Sequence, residues 1–412
     1  MSSFSIPLSG LDATQQALNI ISNNLANLNT VGYKGQTVSF RDLFYQTVGD
    51  SGSGSPIELG AGTAIDSVTT RFLGGSLDTT GVATDAAIVG DGFFVVQAPN
   101  GETQFTRAGN FSVNSSGQLV TQDGGLVQGF PAVNGVLTSV PGALTIGKGL
   151  TNPPSATTTG SITANLDASA QVGDTFSVPL NVFDSLGNSH VLSFDFTKSA
   201  ANAWNYNVTV PAADVGGTGA PVSVANGALQ FDSSGHLTSP AGNVAGINVG
   251  GLADGASAIN VQWNLYDANN SPLLSQYADK SGASATQQNG YSNGTLQSFT
   301  INSDGTIQGV FSNGQTTALG QIALATFPDT EALDHAGDNS FVETLNSGAP
   351  VIGAPGTGAR GSITGGALEM STVDIAKEFS NMIITQRGFE ANARVVTTFD
   401  QVTQDTINMK QP

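Results

Sequence analysis

Hydrophobic positions along this chain change their period twice. From Pro7 to about Asn29 they recur at helical spacing: Leu11, Leu18 and Leu25 fall on one heptad position, and Ile21 and Leu28 lie three residues after the last two. Thr14 interrupts the second series, and Pro7 suits a first helical turn, where its missing N–H would have no partner anyway. The turn formers from Asn29 to Gly32 end this run. Near the other end Ile375, Phe379, Met382, Phe389, Ala393, Val396 and Ile407 follow helical spacing, with Gln386, Asp400 and Thr403 as polar interruptions. Ser371 followed by Asp374 is a variant capping box, which predicts a helix starting near Thr372, its dipole favoured by the Asp374 carboxylate. A few heptads at each end suit a coiled coil between the two ends.

Between the helices the pattern is that of short strands. Asn114 to Gly117, Asp184 to Gly187, Asp232 to Gly235 and Asn302 to Gly305 each place Asn or Asp first and Gly fourth, as a type I turn prefers. Strand-like runs such as Val191 to Phe196 flank them, so hairpins are predicted. Their spacing is irregular, which argues for local turn chemistry and against a solenoid repeat. The expected fold is mainly β with α-helical termini, built from nested, discontinuous domains. Gly/Ser-rich stretches at 49–62 and 348–366 read as linkers, 151–159 as entry to a middle domain and 281–290 as its exit. The expected division is a helical core of 1–33 with 370–412, a linker region of 34–70 with 358–369, an inner β domain of 71–145 with 283–357, and an outer β domain of 146–282.

Composition narrows the class. Only 10% of the 412 residues are charged, against about 25% in an average protein, while 52 are Gly and 39% are hydrophobic. A net charge of −19 disfavours nucleic acid and anionic membranes as partners. Residues 146–282 hold nine Asp, three Lys and neither Glu nor Arg, which suits a solvated outer face. With no Cys there are no disulfides and no thiolate metal sites. No apolar run has the length of a membrane span, and Met1 to Ser5 lacks the basic start of a secretory signal. The expectation is a protein either cytoplasmic or exported by a route that cleaves nothing.

Candidate chemistry fails on context. His190, His236 and His335 are widely separated and read as turn or surface residues. Gly356, Gly358 and Gly361 have dinucleotide-fingerprint spacing but sit in a linker. Gly142 with Gly147 and Lys148 has phosphate-loop spacing, yet Gly149 stands where a magnesium-binding hydroxyl belongs. Gly290 to Gly294 fits a nucleophile elbow around Ser292, for which His335 is the conceivable base, but a strand follows it rather than a helix. The loop beginning at Asp267 has Ala278 in place of the bidentate acid of a calcium loop. No catalytic, cofactor-binding or metal residues are expected, and no cofactor.

Several motifs resemble a known family. Ile21 to Asn27 followed by Thr30 to Lys34 resembles the N-terminal signature of the bacterial flagellar rod and hook axial proteins. Leu368 to Asp374, with Glu378, Met382, Ile383, Gln386 and Arg387, is similar to that family's other end, with Thr372 where Asn is usual. Asp85 to Phe94 and Thr106 to Phe111 resemble its inner β domain. Gly290 to Leu296, Ser312 to Gln315, Leu319 to Ala323 and Val182 to Gly187 resemble the hook branch, and the chain is longer than the distal rod branch.

That resemblance implies a structural subunit of a curved hollow tube, a universal joint transmitting torque from rod to filament for motility. Implied partners are further copies, a distal rod protein, a hook cap protein, a hook–filament junction protein and the flagellar type III export apparatus. No nucleic acid and no small-molecule substrate are expected. The implied location is the hook and basal body of the flagellum, outside the cell, reached without a cleaved signal peptide. The expected assembly residues are Leu11, Leu18, Ile21, Leu25, Leu28, Ile375, Phe379, Met382, Phe389, Val396 and Ile407. Joined to the core only by Gly-rich linkers, the helices are expected to be disordered until neighbours cover them. The competing readings are a distal rod protein, a secreted adhesin-like β module, and a hydrolase using Ser292.

Overall fold

The computed structural model describes residues 4–44, 46–50, 56–147 and 149–409. The chain forms two compact units: Met1–Lys148 with Ser298–Gly309 and Thr317–Pro412, and Gly149–Gln297 with Val310–Thr316. Among the described residues strands dominate, and the two α-helices are terminal: α1 (Ser5–Ala26) and α2 (Ile375–Met409).

In the first unit α1 and α2 pack against each other as an antiparallel pair. Gly10 abuts Asn392, Gly388 faces Thr14, and the rings of Phe4 and Phe399 lie 5.8 Å apart. After α1, strands Gln36–Asp42 and Thr63–Thr70 pair antiparallel, with a bulge between Ser39 and Phe40. Between them, Gln46–Asp50 pairs with Pro56–Leu59. The 34–70 region, expected to be linker, is therefore largely paired strand, although 51–55 lie outside the described residues. Thr37, Val38, Phe40, Ile65 and Val68 supply the β-branched and aromatic side chains that favour this.

The 348–366 stretch departs from expectation in the same way. Val351–Gly353 pairs with Leu324–Thr326, and Ser362–Gly365 pairs with Ala86–Val89. Its glycines allow close approach as well as flexibility: a Cβ on Gly361 would collide with the carbonyl of Val89.

The main sheet of this unit runs through Leu126–Val133, Phe93–Gln97, Thr103–Thr106, Ser340–Val342 and Asp334–Gly337, each antiparallel to the next. Phe93, Val95, Phe105, Ala325, Leu333 and Phe341 form a buried core against it. Phe72 meets Phe93 and Phe341 edge-on at 5.3 and 5.2 Å, and Phe105 meets Phe327 at 4.8 Å. These are the geometries that aromatic quadrupoles favour.

The second unit is a β-sandwich. One antiparallel sheet orders Thr175–Phe183, Ser189–Ala200, Ala203–Val210, Val222–Phe231 and Leu237–Ser239. The other orders Val244–Val249, Ile259–Asn264, Thr159–Asn165 and Leu274–Ser275. Leu180, Val182, Leu192, Phe194, Phe196, Trp204, Val208, Val261 and Trp263 are all buried between them. Strict alternation along Ser189–Ala200 sends every second side chain inward. Gly282–Gln288, expected to be the exit from this domain, instead pairs along Thr159–Asn165. Its polar composition suits a strand whose side chains are almost all exposed.

All four expected turns form. The Gly N–H donates to the carbonyl three residues back at Gly117, Gly187, Gly235 and Gly305, at 3.0, 3.2, 3.1 and 2.9 Å. Each of these glycines has φ between 78° and 89°, where a side chain would be strained.

Both tryptophans, Trp204 and Trp263, belong to the sandwich core, so their fluorescence reports its unfolding alone. Leu192→Ala should lower the stability read this way by about 2–5 kcal/mol, since Leu192 is fully buried. An unchanged midpoint in denaturant would contradict the packing described.

Candidate assembly surface

The face that α1 buries is not the leucine seam. Pro7, Gly10, Ala13, Ala17, Ile21 and Asn24 are the buried positions of α1. Leu11, Leu18, Leu25 and Leu28 are half-buried beside this stripe. The reason is steric. An added Cβ on Gly10 would lie 2.7 Å from Asn392 Nδ2, and one on Gly388 would lie 3.7 Å from Thr14 Cγ2. The two helices approach through small residues, which lets backbones come close, and the larger side chains flank the contact.

α2 begins later than its sequence suggests, at Ile375 rather than near Thr372. Asp374 is the N-cap: its Oδ1 accepts the Lys377 N–H at 3.1 Å. Ser371 lies ahead of the helix and makes only a long contact with the Val373 N–H at 3.4 Å. Residues 370–373 are held extended against the segment after α1. Thr372 N–H donates to Tyr33 O at 3.1 Å, and Gly35 N–H donates to Thr372 Oγ1 at 3.0 Å. That pairing delays the helix.

Of the expected assembly residues, Ile21 is buried, and Met382, Phe389 and Val396 are half-buried. Ile375, Phe379 and Ile407 remain exposed, together with Ile383, Ile384, Val395, Phe399, Val402 and Met409. The only buried residue of α2 is Glu378. Beyond Phe399, the neighbour of Phe4, α2 runs on for about ten residues, roughly 15 Å of helix with every described side chain exposed.

The helices are not loosely tethered. Asn24 is buried and clasps the backbone of Gln36, donating to its carbonyl at 2.7 Å and accepting its N–H at 2.9 Å. Deeper lies an ion cluster that the sequence reading missed. Lys34 Nζ donates to Glu369 Oε1 and to Leu73 O, both at 2.6 Å, and the Gly75 N–H donates to the same carboxylate oxygen at 2.7 Å. Arg107 Nη1 stands 3.5 Å from Glu369 Oε2, a charge contact longer than a hydrogen bond, and its guanidinium lies 5.3 Å over the Phe93 ring. All three ions are buried. Burial pushes the Lys34 ammonium below its usual pKa, and Glu369 opposes that shift. A groove of about 480 Å³ opens beside the anchor, walled by Ile20, Ile21, Val38, Phe40, Leu73 and Ile384.

The suspected chemistry resolves into packing. Ser292 O accepts from Asn313 Nδ2 at 2.8 Å, and an added Cβ on Gly294 would strike the same Asn313 side chain. His335 meets Gln36 Nε2 and Thr70 Oγ1, each at 3.2 Å, and its ring packs on Phe341. His236 is an exposed turn residue beside Asp232. Asp267 Oδ1 accepts the N–H groups of Asn269 and Ser271, an Asx turn. His190 departs from expectation: it is buried, not a surface residue, with carboxylates at both ring nitrogens. Asp184, His190 and Asp254 form the one His/Asp group among the described residues with potential ligand atoms within 4.8 Å of one another. Both ring nitrogens of His190 lie within hydrogen-bond distance of carboxylate oxygens. A metal there would need a ring nitrogen free of its proton, whereas a doubly protonated ring would donate to both sides.

Removing one member of a buried ion cluster leaves an uncompensated charge, at a cost of about 3–5 kcal/mol. Lys34→Met should destabilise the first unit by that order in denaturant, followed by helical circular dichroism. Glu369→Gln should cost more, because it strands two cations. A Lys34→Met effect below about 1 kcal/mol would contradict the cluster's role.

Comparison with known proteins places this arrangement. Residues 6–34 match the model of the flagella basal body rod protein, and 364–409 match the flagellar basal body rod FlgEFG protein C-terminal model. Residues 87–165 match the flagellar hook protein FlgE/F/G D1 domain, and 175–291 the flagellar basal body protein FlaE D2 domain. The chain is 35% identical to the flagellar hook protein FlgE of Escherichia coli over 99% of this chain and 100% of that protein. It is 34% identical to the FlgE of Treponema pallidum over 98% of each. The crystal structure of Helicobacter pylori flagellar hook protein FlgE2 shares the fold, with a TM-score of 0.53 at 15% identity, covering 71% of this chain and 100% of that one. With about 35% identity over nearly the whole of both sequences, the chain belongs to the flagellar hook protein family.

Proposed function

We propose that this chain polymerises into the flagellar hook, a curved hollow tube that transmits torque from rod to filament, and that its terminal helices supply the principal contacts. The observation that supports this reading is the uncovered apolar surface of α2. Ile375, Phe379, Ile383, Ile384, Val395, Phe399, Val402, Ile407 and Met409 are all exposed. A helix so placed has little packing to stabilise it alone, and many large apolar side chains left exposed on one helix suit an interaction site. Further copies of the same chain are the occupants this reading assigns. Leu11, Leu18, Leu25, Leu28, Met382, Phe389 and Val396 are half-buried, and this reading assigns them to the same interface.

The reading is structural rather than enzymatic, since the Ser292 motif is engaged in turn packing against Asn313. The helical core of 1–33 with 370–412 would line the tube, with the β units outward. The other proposed partners are the distal rod protein, the hook cap, the hook–filament junction protein and the type III export apparatus, with the assembled protein outside the cell.

Val402→Asp and Ile407→Asp place charge where this surface is fully uncovered. Each should abolish tube formation in negative-stain electron microscopy and leave monomer stability within about 0.5 kcal/mol of the parent. Tubes of normal yield from both variants would remove α2 from the interface.

A further inference from the structure

We propose that His190 is a proton-operated clasp that closes two loops of the β-sandwich unit onto a hairpin turn in mild acid and releases them as the pH rises. His190 is the second residue of the strand Ser189–Ala200. Three carboxylates face it from three other segments. Asp184, in the preceding turn, has Oδ2 3.2 Å from Nε2. Asp254, in the 250–258 loop, has Oδ2 3.6 Å from Nε2. Asp214, in the short 3-10 helix Ala212–Val215, has Oδ2 3.1 Å from Nδ1.

A neutral imidazole has one donor nitrogen and one acceptor nitrogen. Here either tautomer would aim a lone pair at a carboxylate oxygen. Only the doubly protonated ring satisfies both sides. Among the described residues no Lys or Arg forms an ion pair with the cluster. Lys198, on the same strand, donates to Ala168 O and lies over the Trp204 ring, and Asn188 contributes neutral donors to Asp184 and Asp254. Losing the His190 proton would therefore leave three carboxylates around a neutral ring.

The loops are tied to each other and to the turn, so they should respond together. Ala253 N–H donates to Asp214 O at 2.8 Å, and Ser257 N–H donates to Ser185 Oγ at 3.1 Å. The signs are consistent. Burial alone would lower the His190 pKa, but the bonds to Asp214 and Asp184 outweigh it and hold it above the ordinary 6.5. A raised folded pKa gives stability that is complete below the ordinary value and lost as pH rises through the folded one. Asp184 is held down to about 2: burial opposes this, but Asp254, His190 and the N–H groups of Asn188 and Leu186 prevail. Its contribution is present above its ordinary 3.8 and lost only as pH falls through about 2. The clasp is thus closed between about pH 4 and 6.5.

The test is hydrogen exchange of the full chain at about pH 5.5 and about pH 9, corrected for intrinsic exchange rates. Protection of 212–216 and 252–258 should fall on going to the higher pH, tenfold for each unit by which folding raises the His190 pKa. Protection of Phe194 to Phe196 should stay constant. His190→Gln should show low loop protection at both values. In the unmodified chain, nitrogen NMR should show both ring nitrogens of His190 protonated at about pH 5.5. Equal loop protection at the two pH values, or pH dependence surviving in His190→Gln, would overturn the proposal. So would loop protection lost on adding EDTA at about pH 5.5, which would put a metal ion in place of the Nε2 proton.

Discussion

A carboxylate removed from water must be paired, and the first unit is organised around one such group, Glu369. It accepts from Lys34 and from the Gly75 backbone, and it faces the buried Arg107. These residues come from the segment after α1, the loop after the Thr103–Thr106 strand and the segment before α2. Their separate stretches of chain have to meet for any of the three charges to be compensated. Isolated buried ions cost several kcal/mol each, so partial assembly of this site is strongly disfavoured. The cluster therefore acts chiefly as a device of specificity. It fixes where the chain leaves α1 and where it enters α2, and the Tyr33–Thr372 and Asn24–Gln36 bonds continue that registration outward.

Away from this anchor, the packing thins in a graded way. α1 meets α2 at Gly10, against Asn392, and at Thr14, against Gly388, where the missing side chains bring the backbones close while burying little apolar area. The larger side chains of α2 stay half-buried or in solvent, and every side chain from 400 to 409 is exposed. One end of the pair is thus held by ions and hydrogen bonds, and at the other the described residues bury no side chain of 400–409. The uncovered apolar side chains are suited to the proposed completion by neighbours.

Much of this was legible in the sequence. Helical period at both ends, Asn/Asp-to-Gly turns and alternating strands are local signals, and the structure contains each of them. The misreadings have physical causes. Leucines dominate any hydrophobic pattern, yet close helix contacts favour the smallest residues, so Gly10 and Gly388 went unnoticed beside Leu11 and Phe389. Glycine-rich stretches read as linkers, though at Gly361 the missing side chain serves close strand pairing. Lys34 and Glu369 lie 335 residues apart, and no local pattern links them. His190 looked like a surface residue because its carboxylate partners Asp214 and Asp254 arrive from distant loops.

The central claim is that the helix pair is anchored at one end by the Glu369 cluster and completed at the other only by assembly. Amide hydrogen exchange, measured on dilute monomer and on polymerised tubes, tests it most directly. The account predicts strong protection in the monomer for 20–26 and 375–385, declining along α2 to almost none by 400–409, with protection of the whole helix in tubes. Uniform protection of α2 to Met409 in the monomer, or no protection next to the anchor, would contradict it.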